Sequence, residues 1–287
     1  MTRRFTPLAW TAVTFTYLLI VLGAIVRITG SGLGCGEHWP LCNGRLLPPL
    51  DVPTLIEYAH RLVAAAVSGL VLALAVYAGR LRGRHRRASV GANASRDPAA
   101  PGLPSALPYA ALGLLVVLVL LGAVTVRLRL PPWTVVLHFA TAMLLLATLL
   151  VVARERSEGW LRDPGPTGLV ALVLGFATVL AGALTANTGA ASACLGFPLC
   201  NGQLVPSGNA LQHIHWTHRV LAYALFAFVI WWAVRAKRRA VWGVVGLVGA
   251  QVTLAAAMVL LQLPRPLAAA HVALGAAVWG GLVVAAL

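Results

Sequence analysis

Pro40-Leu41-Cys42-Asn43-Gly44 returns 158 residues later (198 − 40) as Pro198-Leu199-Cys200-Asn201-Gly202. Before it, Thr29-Gly30-Ser31-Gly32-Leu33-Gly34-Cys35 is echoed by Thr188-Gly189-Ala190-Ala191-Ser192-Ala193-Cys194 at offset 159 (188 − 29), so the second copy loses one residue between its cysteines. After it, Glu57-Tyr58-Ala59-His60-Arg61 aligns with His215-Trp216-Thr217-His218-Arg219 at offset 158 (215 − 57). Further on, Leu130-Pro131 and His138 align with Leu263-Pro264 and His271 at offset 133 (271 − 138). The difference of 25 (158 − 133) is the excess of a long first linker over a short basic turn near residues 235–239. The chain is an internal duplication.

What is duplicated follows from composition. Of the 287 residues, 60% are hydrophobic and 10% charged, far from the quarter charged of soluble domains. Mean hydropathy is +0.86. Disordered chains, disulfide-stapled secreted domains and soluble enzymes are excluded. Apolar runs fall at 8–27, 55–79, 108–127, 133–153, 167–186, 211–234, 240–261 and 266–287, each near the ~20 residues that span a bilayer as a helix. The first run passes into Gly23-Ala24-Ile25-Val26-Arg27 without a cleavage site and reads as a helix rather than a signal peptide.

The expected fold is all-α and integral to the membrane: eight transmembrane helices in two tandem four-helix bundles. Four spans per repeat leave both copies pointing the same way, a parallel repeat. The N-terminal half takes residues 1–79 and 108–153, and the C-terminal half takes 167–287. Between helices two and three, 80–107 is rich in Arg, Pro, Gly, Ala and Ser without periodicity and reads as a cytoplasmic linker.

The charge of +15 is explained by sidedness. Fifteen of the 22 Lys and Arg cluster at 3–4, 80–96, 154–162 and 235–239. Basic residues collect in cytoplasmic loops, so both termini are expected inside the cell membrane and the 28–54 and 187–210 loops outside. The lipid bilayer is the partner this implies, and no nucleic acid is needed.

Six of the seven carboxylates read as loop residues, and Glu57 does not. Of eight histidines, His38 and His85 lie in loops, and His213 reads as a helix-entry residue. His60, His138, His218 and His271 all lie near the outer ends of even-numbered helices. Ionisable groups inside a membrane segment are rare and usually functional. One imidazole from each of two helices, at equal depth, is the arrangement that holds haem iron from both faces. Interhelical hydrogen bonding is the plainer alternative, and zinc is short of its usual four ligands. We therefore expect two haem-sized sites, His60 with His138 and His218 with His271.

The halves differ three residues before the first histidine of each pair, with Glu57 in one and His215 in the other. A carboxylate beside such a pocket serves as a base, a proton relay or a stabiliser of positive charge, or pairs with Arg61 or Arg27. The first half reads as the chemical site and the second as the fixed-cofactor site. Arg27, Arg61 and Arg219 lie at the same outer level, where a guanidinium forks onto haem propionates or snorkels to the interface. Cys35 and Cys42 enclose six residues, Cys194 and Cys200 five. In outside loops these read as two intraloop disulfides over the histidine pairs, with redox participation of the first pair left open.

Taken together, Gly23-Ala24-Ile25-Val26-Arg27-Ile28-Thr29-Gly30-Ser31-Gly32-Leu33-Gly34-Cys35, Trp39-Pro40-Leu41-Cys42-Asn43-Gly44 and Glu57-Tyr58-Ala59-His60-Arg61 resemble the haem A synthase family. The likeness runs through the second half and covers nearly all of the chain outside 80–107. It implies a membrane oxidoreductase that oxidises the C8 methyl of haem O to a formyl group by successive hydroxylations, giving haem A for terminal oxidases. It further implies a haem b cofactor on His218 and His271, substrate haem at His60 and His138, a catalytic Glu57, and disulfides in the outer loops. Haem O synthase, the farnesyltransferase, is the partner from which handover is expected; no motif names the electron acceptor. Cys35-Gly36-Glu37-His38-Trp39-Pro40 departs from the family's Cys-Pro-Asp-Trp-Pro run, which bears on the shape of the first loop. Two other functions fit parts of the sequence: a di-haem b-type electron-transfer protein without turnover, and a thiol oxidoreductase using the four cysteines and a quinone.

Overall fold

The computed structural model describes residues 5–37, 39–45, 48–91, 106–158 and 163–287, with the side chains of 85–91 and 156–158 excepted. Among the described residues there are eight α-helices and no β-strand: α1 (Phe5–Ile28), α2 (Val52–Gly91), α3 (Leu107–Arg127), α4 (Pro132–Glu158), α5 (Gly165–Asn187), α6 (Ala210–Ala236), α7 (Arg239–Leu260) and α8 (Arg265–Ala286). All eight are long and apolar enough to cross a membrane. Every apolar run of the sequence is thus a helix, with most ends within a few residues of the run and α7 and α8 each set one residue earlier.

Two boundaries differ from expectation. The helix α2 continues through Gly91, so residues 80–91, read as linker, are helical. Arg, Leu and Ala are strong helix formers, and Arg82 lies over the Tyr109 ring of α3 at 5.3 Å. Similarly, Glu155 and Glu158, read as loop residues, belong to the last turn of α4. The rest of the linker, 92–105, lies outside the described residues, as do His38, the His85 side chain, and Arg3, Arg4, Arg96 and Arg162 of the basic clusters.

In the first half α1 packs on α2 and α4, and α3 on α2 and α4; in the second, α5 packs on α6 and α8, and α7 on α6 and α8. Contacts between halves run α1–α8, α4–α5 and α4–α8. The pairings map onto each other when α1–α4 is laid on α5–α8, which is compatible with two tandem four-helix units joined through α4 and α8. Tyr17 Oη donates to the Ala273 carbonyl at 3.1 Å and Trp279 Nε1 to that of Met143 at 2.9 Å across this seam.

Helix ends repeat as well. Arg129 and Leu130 close α3 with positive φ near 61°, and Gln262 and Leu263 close α7 at 62° and 61°. Leu130 N donates to Thr125 O and Leu263 N to Met258 O, the six-to-one bond of a left-handed helix stop. A proline follows each, so the chain turns at once into α4 or α8.

Packing sets the depth of the site. The closely packed core lies toward the α2–α3 and α6–α7 connections, with Leu74, Ala78, Ala111, Leu149 and Val152 in one half and Val229, Ala233, Val241, Val244 and Leu282 in the other. The four histidines lie toward the opposite end. At 1.5 Å per residue, His60 and His218 sit about 12 Å along α2 and α6, and His138 and His271 about 9 Å along α4 and α8.

Candidate functional site

Each histidine is seated by a helix of its own half. A Cβ on Gly23 of α1 would lie 3.2 Å from His60 Cε1, one on Gly182 of α5 2.8 Å from His218 Cε1, and one on Gly122 of α3 3.2 Å from His138 Cε1. Missing side chains at these glycines let the rings press against neighbouring helices. Gly122 and Gly182 were not singled out from the sequence, although a glycine facing a histidine of the adjacent span is the signal that finds them.

His218 and His271 face each other with ring centroids 6.5 Å apart and planes at 87°. Two imidazoles each bound at ~2 Å to one metal ion put their centroids about 6 Å apart, so this pair fits a shared haem iron. His218 Nδ1 lies 3.0 Å from the Thr178 carbonyl. A carbonyl can only accept, so Nδ1 carries the proton and Nε2 keeps the lone pair a metal needs. In the first half His138 is near enough to act electrostatically on His60, and Nδ1 of each is buried without a hydrogen-bond partner. Among the described residues no three His, Cys, Asp or Glu converge as ligands of a bare ion. Pairs of imidazoles suit a metal whose remaining ligands come with it, as a porphyrin's do.

Glu57 is buried (4% exposed). Its Oε1 accepts from Arg61 Nη2 at 2.6 Å and Nε at 3.2 Å, and its Oε2 accepts from the Cys35 backbone N–H at 2.8 Å. The Arg61 pairing weighed from the sequence is therefore present, one helical turn along α2, and the same carboxylate is tied to the first disulfide loop. Arg61 Nη1 also donates to the carbonyls of Pro40 and Leu41. In the second half His215, buried at 6% exposure, places Nδ1 3.0 Å from the Ala190 carbonyl. With no carboxylate beside it, Arg219 donates to the carbonyls of Gly196 at 2.6 Å, Leu199 at 3.0 Å and Cys194 at 2.6 Å. Arg27 Nη1 reaches across the halves to the Ala186 carbonyl at 2.7 Å, and Ala186 is its own repeat counterpart (186 − 27 = 159). His213, in the first turn of α6, is exposed.

Both loops are closed by disulfides, Cys35–Cys42 and Cys194–Cys200. After each comes an Asn-Gly pair with positive φ, Asn43 at 52° and Gly44 at 74°, Asn201 at 51° and Gly202 at 81°. Each asparagine folds back on its loop, Asn43 Nδ2 to Gly34 O at 3.2 Å and Asn201 Nδ2 to Ala193 O at 2.9 Å. The loops differ where they meet the helices. A Cβ on Gly34 would lie 2.7 Å from the Pro53 carbonyl group and from Thr54 N, and Thr54 Oγ1 donates to Gly34 O at 2.8 Å. That close approach, allowed by glycine, carries Cys35 N onto Glu57.

A further polar residue went unread in the sequence. Gln251 of α7 places Nε2 2.9 Å from the His271 carbonyl and 3.3 Å from His271 Nε2. Its signal is an amide in the middle of an apolar span, where such groups are costly.

Comparison with known proteins agrees with this geometry. The family model described as cytochrome oxidase assembly protein matches residues 6–283. The haem A synthase of Alkalihalophilus pseudofirmus is 32% identical over 233 residues, 77% of this chain and 73% of that protein. That of Bacillus licheniformis is 32% identical over 242 residues, 79% and 74% of the two chains. That of Symbiobacterium thermophilum is 31% identical over 305 aligned positions, covering 97% and 92%. The chain belongs to the haem A synthase family.

Proposed function

We propose that this membrane enzyme converts haem O to haem A for terminal oxidases, oxidising the C8 methyl in its first half and keeping a haem b in its second. The observation that carries this reading is the buried Glu57 on the His60 face of α2, with His215 at the corresponding place beside His218. Two electron carriers of equal duty would have no use for that difference.

His60 and His138 would seat the substrate haem, and His218 and His271 the haem b. Haem b, when bound, supplies one-electron redox chemistry beside the substrate site. On the substrate, the methyl carbon passes to the alcohol and then to the gem-diol, which loses water to leave the aldehyde; each hydroxylation adds one oxygen atom and takes two electrons from the carbon, which an oxidant external to this chain must accept. Glu57 is held still by Arg61 on one oxygen and Cys35 N on the other. Oε1 takes both Arg61 donors, whereas Oε2 takes the Cys35 N–H and retains a lone pair, so the carboxylate can face positive charge developing at the substrate or accept a proton from it. Arg27, Arg61 and Arg219 would meet the haem propionates; because Arg61 and Arg219 already bind loop carbonyls, a propionate would join those bonds rather than replace them. The clustering of Lys and Arg supports cytoplasmic termini and outer cysteine loops, and haem O synthase is the natural donor of a substrate this insoluble.

The test is haem extraction and chromatography of host membranes making haem O, with and without this protein. Haem A, or its hydroxymethyl precursor, appearing with the protein alone is the expected result. Recovery of haem b and unaltered haem O from haem-loaded protein would overturn it in favour of the di-haem carrier, which the four matched histidines also suit.

A further inference from the structure

The first disulfide loop is tied down differently from the second. The second is pinned to α6 by Trp216 Nε1 on Leu204 O at 2.7 Å, by Tyr223 Oη on Pro198 O at 2.9 Å, and by Arg219 on the carbonyls of Cys194, Gly196 and Leu199. In the first half Ala65 stands at the Tyr223 position (223 − 158), and the loop reaches to the turn between α3 and α4. There Arg129 Nε donates to Glu37 Oε1 at 2.7 Å. A Cβ on Gly32 would lie 2.8 Å from Leu130 Cδ1, so the loop packs on this turn as well as pairing with it. Neither charge recurs in the second half. Gln262 takes the place of Arg129 (262 − 133), and no acidic residue lies between Cys194 and Cys200.

The loop leaves α1 at Ile28 and enters α2 at Val52, so a bond to the α3–α4 turn carries it across the end of the four-helix unit at which His60 and His138 lie. Glu37 comes just after Cys35, whose N–H binds Glu57 Oε2. We propose that Glu37 and Arg129 are positioning residues of the first half: their ion pair straps the loop across the end of the His60–His138 pocket and keeps the Cys35 N–H on Glu57. This rests on the reading of that pocket as the substrate site. The Glu37 and Arg129 side chains are 53% and 74% exposed, and ion pairs of that kind are weak and screened by salt. A strap so held steadies Glu57 during the reaction and yields cheaply when one haem must replace another. Arg219 of the second loop is buried at 7% exposure, in bonds that salt screens little.

The test uses full-length protein carrying Glu37→Gln, Arg129→Gln, the two together, or the exchanged pair Glu37→Arg with Arg129→Glu. Two rates are read at low salt and at ~1 M, where the Debye length falls to about 3 Å. One is reduction of Cys35–Cys42 by neutral dithiothreitol, which needs the loop to open because both cysteines are buried; the equally buried Cys194–Cys200 is the internal control. The other is haem A formation from haem O, per haem b. Each single Gln variant is expected to speed reduction of Cys35–Cys42 about twofold to fivefold and to lower turnover by a like factor, with Cys194–Cys200 and haem b content unchanged. The double Gln variant should be no worse than either single one, and the exchanged pair should recover most of the loss. High salt should bring the wild type to the level of the variants. Unchanged reduction of Cys35–Cys42 in Glu37→Gln and Arg129→Gln would overturn the strap. Faster reduction with wild-type turnover would overturn its action on Glu57. A wild type that makes no haem A would count against the function proposed for the first half, while the reduction rates would still decide the strap.

Discussion

The two disulfide loops are built on one plan and do different things. Each is closed by a disulfide, turned by an Asn-Gly pair and stitched by its asparagine. Yet the first loop presses the Gly34 backbone onto the start of α2 and hands its Cys35 N–H to Glu57. The second has Ala193 at the Gly34 position and sends its carbonyls to Arg219 instead. Below the loops, Nδ1 of His218 has the Thr178 carbonyl as its partner, while Nδ1 of His60, of His138 and of His271 has no hydrogen-bond partner. On the proposed reading, two similar four-helix units are specialised by a handful of side chains, the first toward chemistry and the second toward retention.

The largest expected effect separates the copies outright. His218→Ala and His271→Ala should lose the tightly bound haem b and all product, whereas His60→Ala and His138→Ala should lose product and keep haem b. Absorbance difference spectra per mole of protein, read beside extracted haems, decide this. Equal loss of haem b in all four would erase the comparison.

Next comes the docking of the first loop. Gly34→Ala drives a Cβ into the Pro53 carbonyl group, and overpacking of this kind costs roughly 1–3 kcal/mol. Product formation should fall about tenfold or more while haem b stays. Ala193→Gly in the second loop should leave both unchanged. A Gly34→Ala enzyme with normal turnover would mean that the loop does not position Glu57.

The disulfides give a smaller and graded contrast. Each closes a short ring, worth about 2–3 kcal/mol on the loop-entropy model. Replacing Cys35 and Cys42 together by Ser should lower turnover more than replacing Cys194 and Cys200, because only the first ring carries a Glu57 hydrogen bond. Haem A yield normalised to haem b content measures the difference, and equal losses would argue against it.

The smallest effect lies at the helix starts. Thr54 N–H donates to Asp51 Oδ1 at 3.1 Å, and Asn209, the repeat counterpart (209 − 51 = 158), caps α6 through Leu211 N at 3.1 Å and Gln212 N at 3.3 Å. The bonds from Thr54 hold the Asp51 carboxyl below its ordinary pKa. A depressed carboxyl stabilises the fold fully above its unfolded pKa, near ~3.9, and loses that stabilisation as pH falls through the folded value. The α2 cap should weaken in acid and the α6 cap should not. Asp51→Asn should therefore flatten the acid side of the melting curve slightly. An unchanged acid dependence would show that the cap contributes nothing there.

Much of this was legible in the sequence, because the periodic signals are large. Eight apolar runs had to be helices in hydrocarbon, where backbone groups find partners only within the segment, and the repeat offsets located His60, His138, His218 and His271 together. Both disulfides followed from cysteines too close in sequence to do much else. Helix ends were harder: nothing in Arg80–Gly91 but helix propensity opposes a loop, so α2 ran on where a linker was expected. Partners were harder still. That Glu57 would share itself between Arg61 and Cys35 N depends on a 2.7 Å approach at Gly34, a tertiary contact with no local trace. Gln251 was visible as an odd amide, but its meaning needed His271 beside it.

The most direct test of the central claim, that one half does the chemistry and the other holds the cofactor, is the haem content of Glu57→Gln protein purified from a host that supplies haem O. This replacement keeps the size of the side chain and removes its charge. The expected extract contains haem b at the wild-type level together with unmodified haem O, and no haem A. Haem A at wild-type yield from that protein would contradict the account.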